Sequence, residues 1–192
     1  MDTFLSKLKQ PHIQRLESLE IVNAFDVSLH VKRDDLIDDV ISGNKLFKLY
    51  YHLESFFKNK HKTLITFGGA YSNHLHATAF AGQQLGIKTV GVIRAEPHEL
   101  EMLTPTLQDC KKWGMTLIGV SRSEYRLKQN SLIVQKRVQD FECPYWIPEG
   151  GAGELGVKGA QLILDGVDQT QYDVIVMACG TGTTLAGVIR AS

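Results

Sequence analysis

Across residues 27–33 (Val-Ser-Leu-His-Val-Lys-Arg) apolar and polar positions alternate with the two-residue period of a half-buried strand. Past an Asp-rich loop the period lengthens. Leu46, Leu49, Tyr50 and Leu53 fall on one face of a helix that begins near Gly43-Asn44. From there strands and helices take turns. Thr63–Phe67 is a short apolar run closed by Gly68-Gly69, and Ser72–Leu85 is an Ala-rich helix stopped by Gly86. Further strands are expected at Lys88–Ile93, at Met115–Val120 and, briefly, at Tyr145–Ile147. Helices are expected at Pro105–Trp113, from a Ser121 cap through Glu124 to Phe141, and at Val157–Leu164. Asp173–Ala178 contains Val-Ile-Val-Met and predicts a buried strand, and Gly182 opens a last helix. Alternation of this length predicts an α/β fold, a parallel sheet with helices on its faces. Ser192 falls one or two turns into that last helix, so the expectation is a chain truncated at its C-terminus.

Composition narrows the class. Lys plus Arg equals Asp plus Glu at 21 each, which leaves no basic field for nucleic acid. No apolar run approaches the roughly 20 residues that cross a bilayer, and Met1–Lys9 lacks the apolar region and cleavage site of an export leader. Cys110, Cys143 and Cys179 are odd in number and widely spaced, the pattern of free thiols in a reducing compartment. A soluble cytoplasmic protein is expected, with neither nucleic acid nor membrane as partner.

Three segments carry candidate chemistry. Cys179-Gly-Thr-Gly-Thr-Thr-Leu-Ala-Gly187 follows one expected strand and opens a helix. There Gly180 and Gly182 permit a tight turn with outward N–H groups, Thr181, Thr183 and Thr184 add hydroxyls, and the helix dipole favours an anion. The segment has neither the Gly-Lys-Ser/Thr of a nucleotide loop nor Gly-x-Gly-x-x-Gly spacing, so a single phosphate monoester fits it better than a nucleotide. The alternative is a plain tight turn. Phe67-Gly-Gly-Ala-Tyr-Ser-Asn-His74 is a second strand-to-helix junction. In it Ser72 or Asn73 is either a helix N-cap or a polar group facing a cleft at the end of the sheet. Ser42-Gly-Asn-Lys45 opens the first long helix. A lysine there is either a solvated charge or, if a helix N-terminus and desolvation lower its pKa, an amine able to form a Schiff base.

The ordered set Val31-Lys-Arg-Asp-Asp35, Gly43-Asn-Lys-Leu-Phe-Lys-Leu49, Gly68-Gly-Ala-Tyr-Ser-Asn-His74, Pro148-Glu-Gly-Gly151 and Gly180-Thr-Gly-Thr-Thr184 resembles aminocyclopropane-carboxylate deaminases and D-cysteine desulfhydrases. These are pyridoxal-phosphate enzymes of the tryptophan-synthase-β fold type. The resemblance implies two lobes, residues 1–48 plus 148–192 forming an incomplete cofactor lobe and 49–147 a smaller inserted one. It implies pyridoxal 5'-phosphate held by Lys45 as a Schiff base, Asn73 on the ring oxygen, Ser72 near the substrate carboxylate or in proton movement, and Gly180–Thr184 around the phosphate. Lys48, one helical turn from Lys45, becomes an additional phosphate contact. The implied activity is a lyase or hydrolase type of deamination of a small amino acid, releasing ammonia and an α-keto acid, in a possible homodimer. An inactive fragment that retains the fold is the alternative. So is a cysteine-synthase-like β-replacement enzyme, although Ala70-Tyr-Ser-Asn-His74 lacks the Ser-Gly-Asn-Thr-Gly pattern of those proteins.

Other residues carry simpler expectations. His74 and His76 are two apart, a poor metal pair on a helix, and the role of His74 is open. Asp38 and Asp39 are expected to solvate their loop, Cys179 to be a small core residue, and Glu149 to line the cofactor face.

Overall fold

The computed structural model describes residues 12–17, 24–25, 27–41 and 43–192. Ser42 and the Met1–Lys9 segment considered for a leader lie outside the described residues. The first ordered pair is β1 (Ile13–Leu16) against β2 (Leu29–Lys32), antiparallel, with Ile13 opposite Lys32 and Leu16 opposite Leu29. In the Asp-rich segment that follows, the Asp38 carboxylate accepts the N–H groups of Val40 (2.8 Å) and Ile41 (2.9 Å). It therefore builds the turn, where solvation alone was expected.

Helix α1 (Asn44–Lys58) buries Leu46, Leu49, Leu53 and Phe56, a three-and-four spacing that keeps one stripe against the core. The chain then runs through β3 (Thr63–Gly68), α2 (Asn73–Leu85), β4 (Lys88–Arg94), α3 (Pro105–Lys112), β5 (Thr116–Val120), α4 (Arg122–Leu127), α5 (Leu132–Val138) and β6 (Pro144–Ile147). The four later strands form one parallel sheet in the order β5-β4-β3-β6. Every residue of β3 is buried, as expected of a central strand covered on both faces. Its side chains alternate. Leu64 joins Leu49, Leu53, Ala77 and Ala81 under α1 and α2, whereas Ile65 and Phe67 join Tyr125, Val134 and Val138 under α4 and α5.

One helix expected from Ser121 to Phe141 is in fact two. Lys128, with φ 53, breaks it, and Ser131 then caps the second piece by accepting the Val134 N–H at 3.1 Å. The apolar periodicity survives the break because both pieces lie on the same sheet face.

Helices α6 (Glu154–Gln161) and α7 (Thr183–Ala191) complete the fold, with α6 packed against both α1 and α7. Two glycines set those approaches. A methyl group on Gly159 would overlap the Phe47 carbonyl oxygen and stand 2.9 Å from its carbon, and one on Gly187 would stand 2.7 Å from the Val157 carbonyl oxygen. Close backbone contact thus sets α6 against both α1 and α7.

Asp173–Ala178 departs from expectation. It is extended but joins no ladder among the described residues, and Val174 and Val176 are 74% and 86% exposed. The apolar run encodes burial, but a strand exists only when a neighbour accepts from its N–H groups and donates to its C=O groups. Cys179 at its end is exposed, so it is not the core residue expected. Among the described residues no helix is long and apolar enough to cross a membrane.

Candidate active site

Two helix N-termini meet although they are far apart in the chain. Gly43, at φ 63, turns the backbone into α1, and Gly182, left-handed at φ 78, turns it into α7. Asn44 then donates through Nδ2 to Thr184 Oγ1 at 2.8 Å, a hydrogen bond spanning 140 residues that ties the two ends together. Asn44 is a positioning residue that the sequence reading included in its motif without a role. Between these ends lies a cavity of about 160 Å³ lined by Lys45, Lys48, Gly180, Thr181, Gly182 and Thr184, with Asn44 and Leu185 beside them. Thr183 does not line it. It is buried behind Thr181, the two hydroxyls 3.5 Å apart.

Ser72 and Asn73 stand outside that cavity. Ser72 is the N-cap of α2, its hydroxyl accepting the Leu75 N–H at 3.3 Å, and Asn73 is the exposed first residue of the helix. Glu149 accepts the Tyr125 hydroxyl and the Lys128 ammonium, each at 2.7 Å. Burial pushes its carboxyl up, but these hydrogen bonds outweigh burial and hold it below the usual carboxylate range.

His74 is a residue whose importance only the packing reveals. It is 2% exposed, and its Nε2 lies 2.9 Å from Thr66 Oγ1. Thr66 gives its own proton to the Ile147 carbonyl at 2.9 Å, so its hydroxyl must accept from His74. That assigns the imidazole proton to Nε2 and leaves Nδ1 a buried acceptor without a partner among the described residues. Beside it Gly150 and Gly151, at φ 70 and 68, make the turn after β6. A methyl on Gly151 would lie 3.3 Å from Lys48 Cβ and 3.7 Å from His74 Nδ1. One on Gly150 would lie 3.9 Å from Lys48 Nζ and 3.8 Å from the Thr181 methyl. The two glycines therefore keep open a gap walled by Lys48, Thr181 and His74.

The cations here are unusual. Lys48 is only 1% exposed. Burial lowers the Lys45 pKa, and burial with the charge of Lys45 takes Lys48 down to about 8. Burial, then the two lysines, bring His74 to about 3, and burial brings His52 to about 4. The Lys45 ammonium thus gives up its proton more readily than that of a surface lysine, a condition for condensing with a carbonyl.

A family model described as pyridoxal-phosphate dependent enzyme matches residues 9–192. The chain belongs to that family. A Thermotoga maritima protein provisionally named 1-aminocyclopropane-1-carboxylate deaminase is 36% identical over 189 residues, 94% of this chain and 58% of that protein. The Arabidopsis thaliana mitochondrial bifunctional D-cysteine desulfhydrase/1-aminocyclopropane-1-carboxylate deaminase is 31% identical over 179 residues, 85% of this chain and 45% of that one. A crystal structure of an ACC deaminase homologue superposes with a TM-score of 0.80 at 27% identity, covering 99% of this chain and 60% of its own. The chain spans about half the length of the curated relatives it matches. Family and superposition agree with the α/β class, a parallel sheet flanked by helices.

Proposed function

We propose that this chain supplies the lysine and phosphate side of a pyridoxal-phosphate site acting on a small amino acid of the aminocyclopropane-carboxylate or D-cysteine type. The reaction consumes water and releases ammonia and an α-keto acid, with hydrogen sulfide as well from D-cysteine. One observation carries the reading: Lys45 and the Gly180–Thr184 turn line one cavity. The residues present fit the cofactor. Lys45 offers an amine whose proton affinity is lowered, the α7 N-terminus with Thr181 and Thr184 offers donors to a phosphate, and Lys48 offers a buried cation beside them. When bound, pyridoxal phosphate supplies an electron sink for charge developing at the substrate Cα. Asn44 keeps the two helix N-termini at one spacing, so amine and phosphate seat are set together. Asn73 is assigned to orient the cofactor ring. Ser72, whose capping contact leaves its hydroxyl proton free, is assigned to the substrate carboxylate or to proton movement. We further divide the protein into a cofactor lobe of 1–48 plus 148–192 and an inserted lobe of 49–147, with α1 running unbroken across residue 48.

The test is to add pyridoxal phosphate, fix it to lysine with borohydride, and map the added mass. Label confined to Lys45, and lost in Lys45→Ala, is the expected result; label spread over surface lysines would refute the assignment. Ammonia and keto-acid release from D-cysteine, aminocyclopropane carboxylate and O-acetylserine, assayed side by side, then tests the substrate class. Turnover of O-acetylserine alone would overturn it.

A further inference from the structure

The unpartnered nitrogen of His74 asks for a donor. Its tautomer is locked by the relay through Thr66 to the Ile147 carbonyl, so Nδ1 can act only as an acceptor. Nδ1 opens onto the space Gly151 leaves without a side chain, and the far wall of that space is Lys48. The groups around the imidazole are Lys45, Lys48 and His52 from α1, Thr66 from β3, and Gly151 from the turn after β6. None of these is a carboxylate, and neither lysine has an ion-pair partner among the described residues. Two lysines one helical turn apart, Lys48 buried and Lys45 half-buried and neither neutralised, make the Lys48 ammonium costly unless a neutral acceptor reaches it.

We propose that His74 is a positioning residue for Lys48: its Nδ1 accepts a hydrogen bond from the Lys48 ammonium across the gap that Gly151 leaves, and helps Lys48 keep its proton while buried. A neutral imidazole suits this better than a carboxylate would. It stabilises an ammonium without cancelling the charge, so Lys48 remains an anchor for an anion at the α7 N-terminus. The four-carbon stem of Lys48 has the freedom to bring Nζ across the glycine gap, and a side chain on residue 151 would block that path. The purpose of this hydrogen bond rests on the reading of Lys48 as a phosphate contact; the bond itself does not.

The experiment uses the chain without cofactor, its lysines labelled with ¹³C and ¹⁵N, and follows each Cε resonance across pH. Lys45→Met and Lys48→Met assign the two sites. In His74→Phe, Lys48 should lose proton affinity by about tenfold, roughly one pH unit. Lys45 should gain, because its neighbour is no longer charged. His74→Gln, whose amide can donate to Thr66 and still offer an oxygen, should restore most of the Lys48 value. Loosened packing alone would rehydrate both lysines and raise both values, so movement in the same direction, or none, overturns the proposal. Should His74→Phe fail to fold, Lys48→Met answers from the other side: the ¹⁵N resonance of His74 Nδ1 must shift on losing its donor, and an unmoved resonance overturns the proposal equally. Because no cofactor is present, failure of pyridoxal phosphate to label Lys45 would sink the functional reading and leave the titration result standing.

Discussion

Gly159→Ala tests whether the site depends on the close approach of α6 to α1. The added methyl would overlap the Phe47 carbonyl oxygen, lie 2.9 Å from its carbon and 3.4 Å from Lys48 Cα, where ordinary contact begins at 3.4 Å. The obstructing atoms are backbone, so rotating a side chain cannot relieve the clash, and the two helices must part. Overpacking costs about 1–3 kcal/mol, and an obstruction made wholly of backbone belongs in the upper half, about 2–3 kcal/mol. Alanine inside a helix regains about 1 kcal/mol over glycine. The net loss is therefore about 1–2 kcal/mol, and in a chain of this size each kcal/mol lowers Tm by about 2–4 °C. Thermal unfolding by circular dichroism should show a fall of about 2–8 °C. Borohydride-fixed cofactor on Lys45 should fall too, because the displaced segment carries Phe47 and Lys48. Gly180→Ala is the control for melting alone, because Gly180 lines the cavity; a methyl there meets nothing within 4 Å and φ is not positive. A Gly159→Ala chain that melts at or above the wild type, or a Gly180→Ala chain that loses as much, would refute the reasoning.

Two further outcomes follow from the same geometry. His74 and His52 titrate near 3 and 4 when folded, against 6.5 ordinarily, so below about pH 6.5 the unfolded chain takes up protons that the folded chain refuses. Stability is full above that pH and falls as the solution is acidified towards 4 and 3, by up to about 1.4 kcal/mol per pH unit for each histidine. Urea midpoints across this range should show it, with a shallower slope in His74→Phe, and a pH-independent midpoint would contradict the burial. Removing the 2.8 Å tie in Asn44→Ala should cost about 0.5–1.5 kcal/mol. It should also weaken binding of inorganic phosphate severalfold by calorimetry, and unchanged affinity would show that the tie does not set the spacing.

Much of this protein is written in short-range pattern. The period of α1, the apolar run of β3, the Ser72 cap and the Gly86 stop of α2 each sit within a few residues, where backbone geometry and side-chain spacing act directly. The ordered motifs likewise name Lys45, Lys48 and the 180–184 turn together, and all of these but Thr183 line one cavity. Other features were not legible. Ile13-Gln-Arg-Leu16 is a strand only because β2 lies beside it, and Asp173–Ala178 is not one because no described segment does.

Ladder pairing, burial and helix contact depend on residues distant in the chain, and tertiary structure alone decides them. Gly159 and Gly187 look like ordinary helix-weakening glycines until their neighbours are known to be backbone atoms of other helices. His74 looks like one more residue of a helix start until Thr66 fixes its tautomer and Gly151 exposes its lone pair. Sequence by itself determined which chemical groups are available and which elements carry them. Folding decided which groups lose water and face one another, because desolvation and hydrogen-bond geometry are properties of position in space.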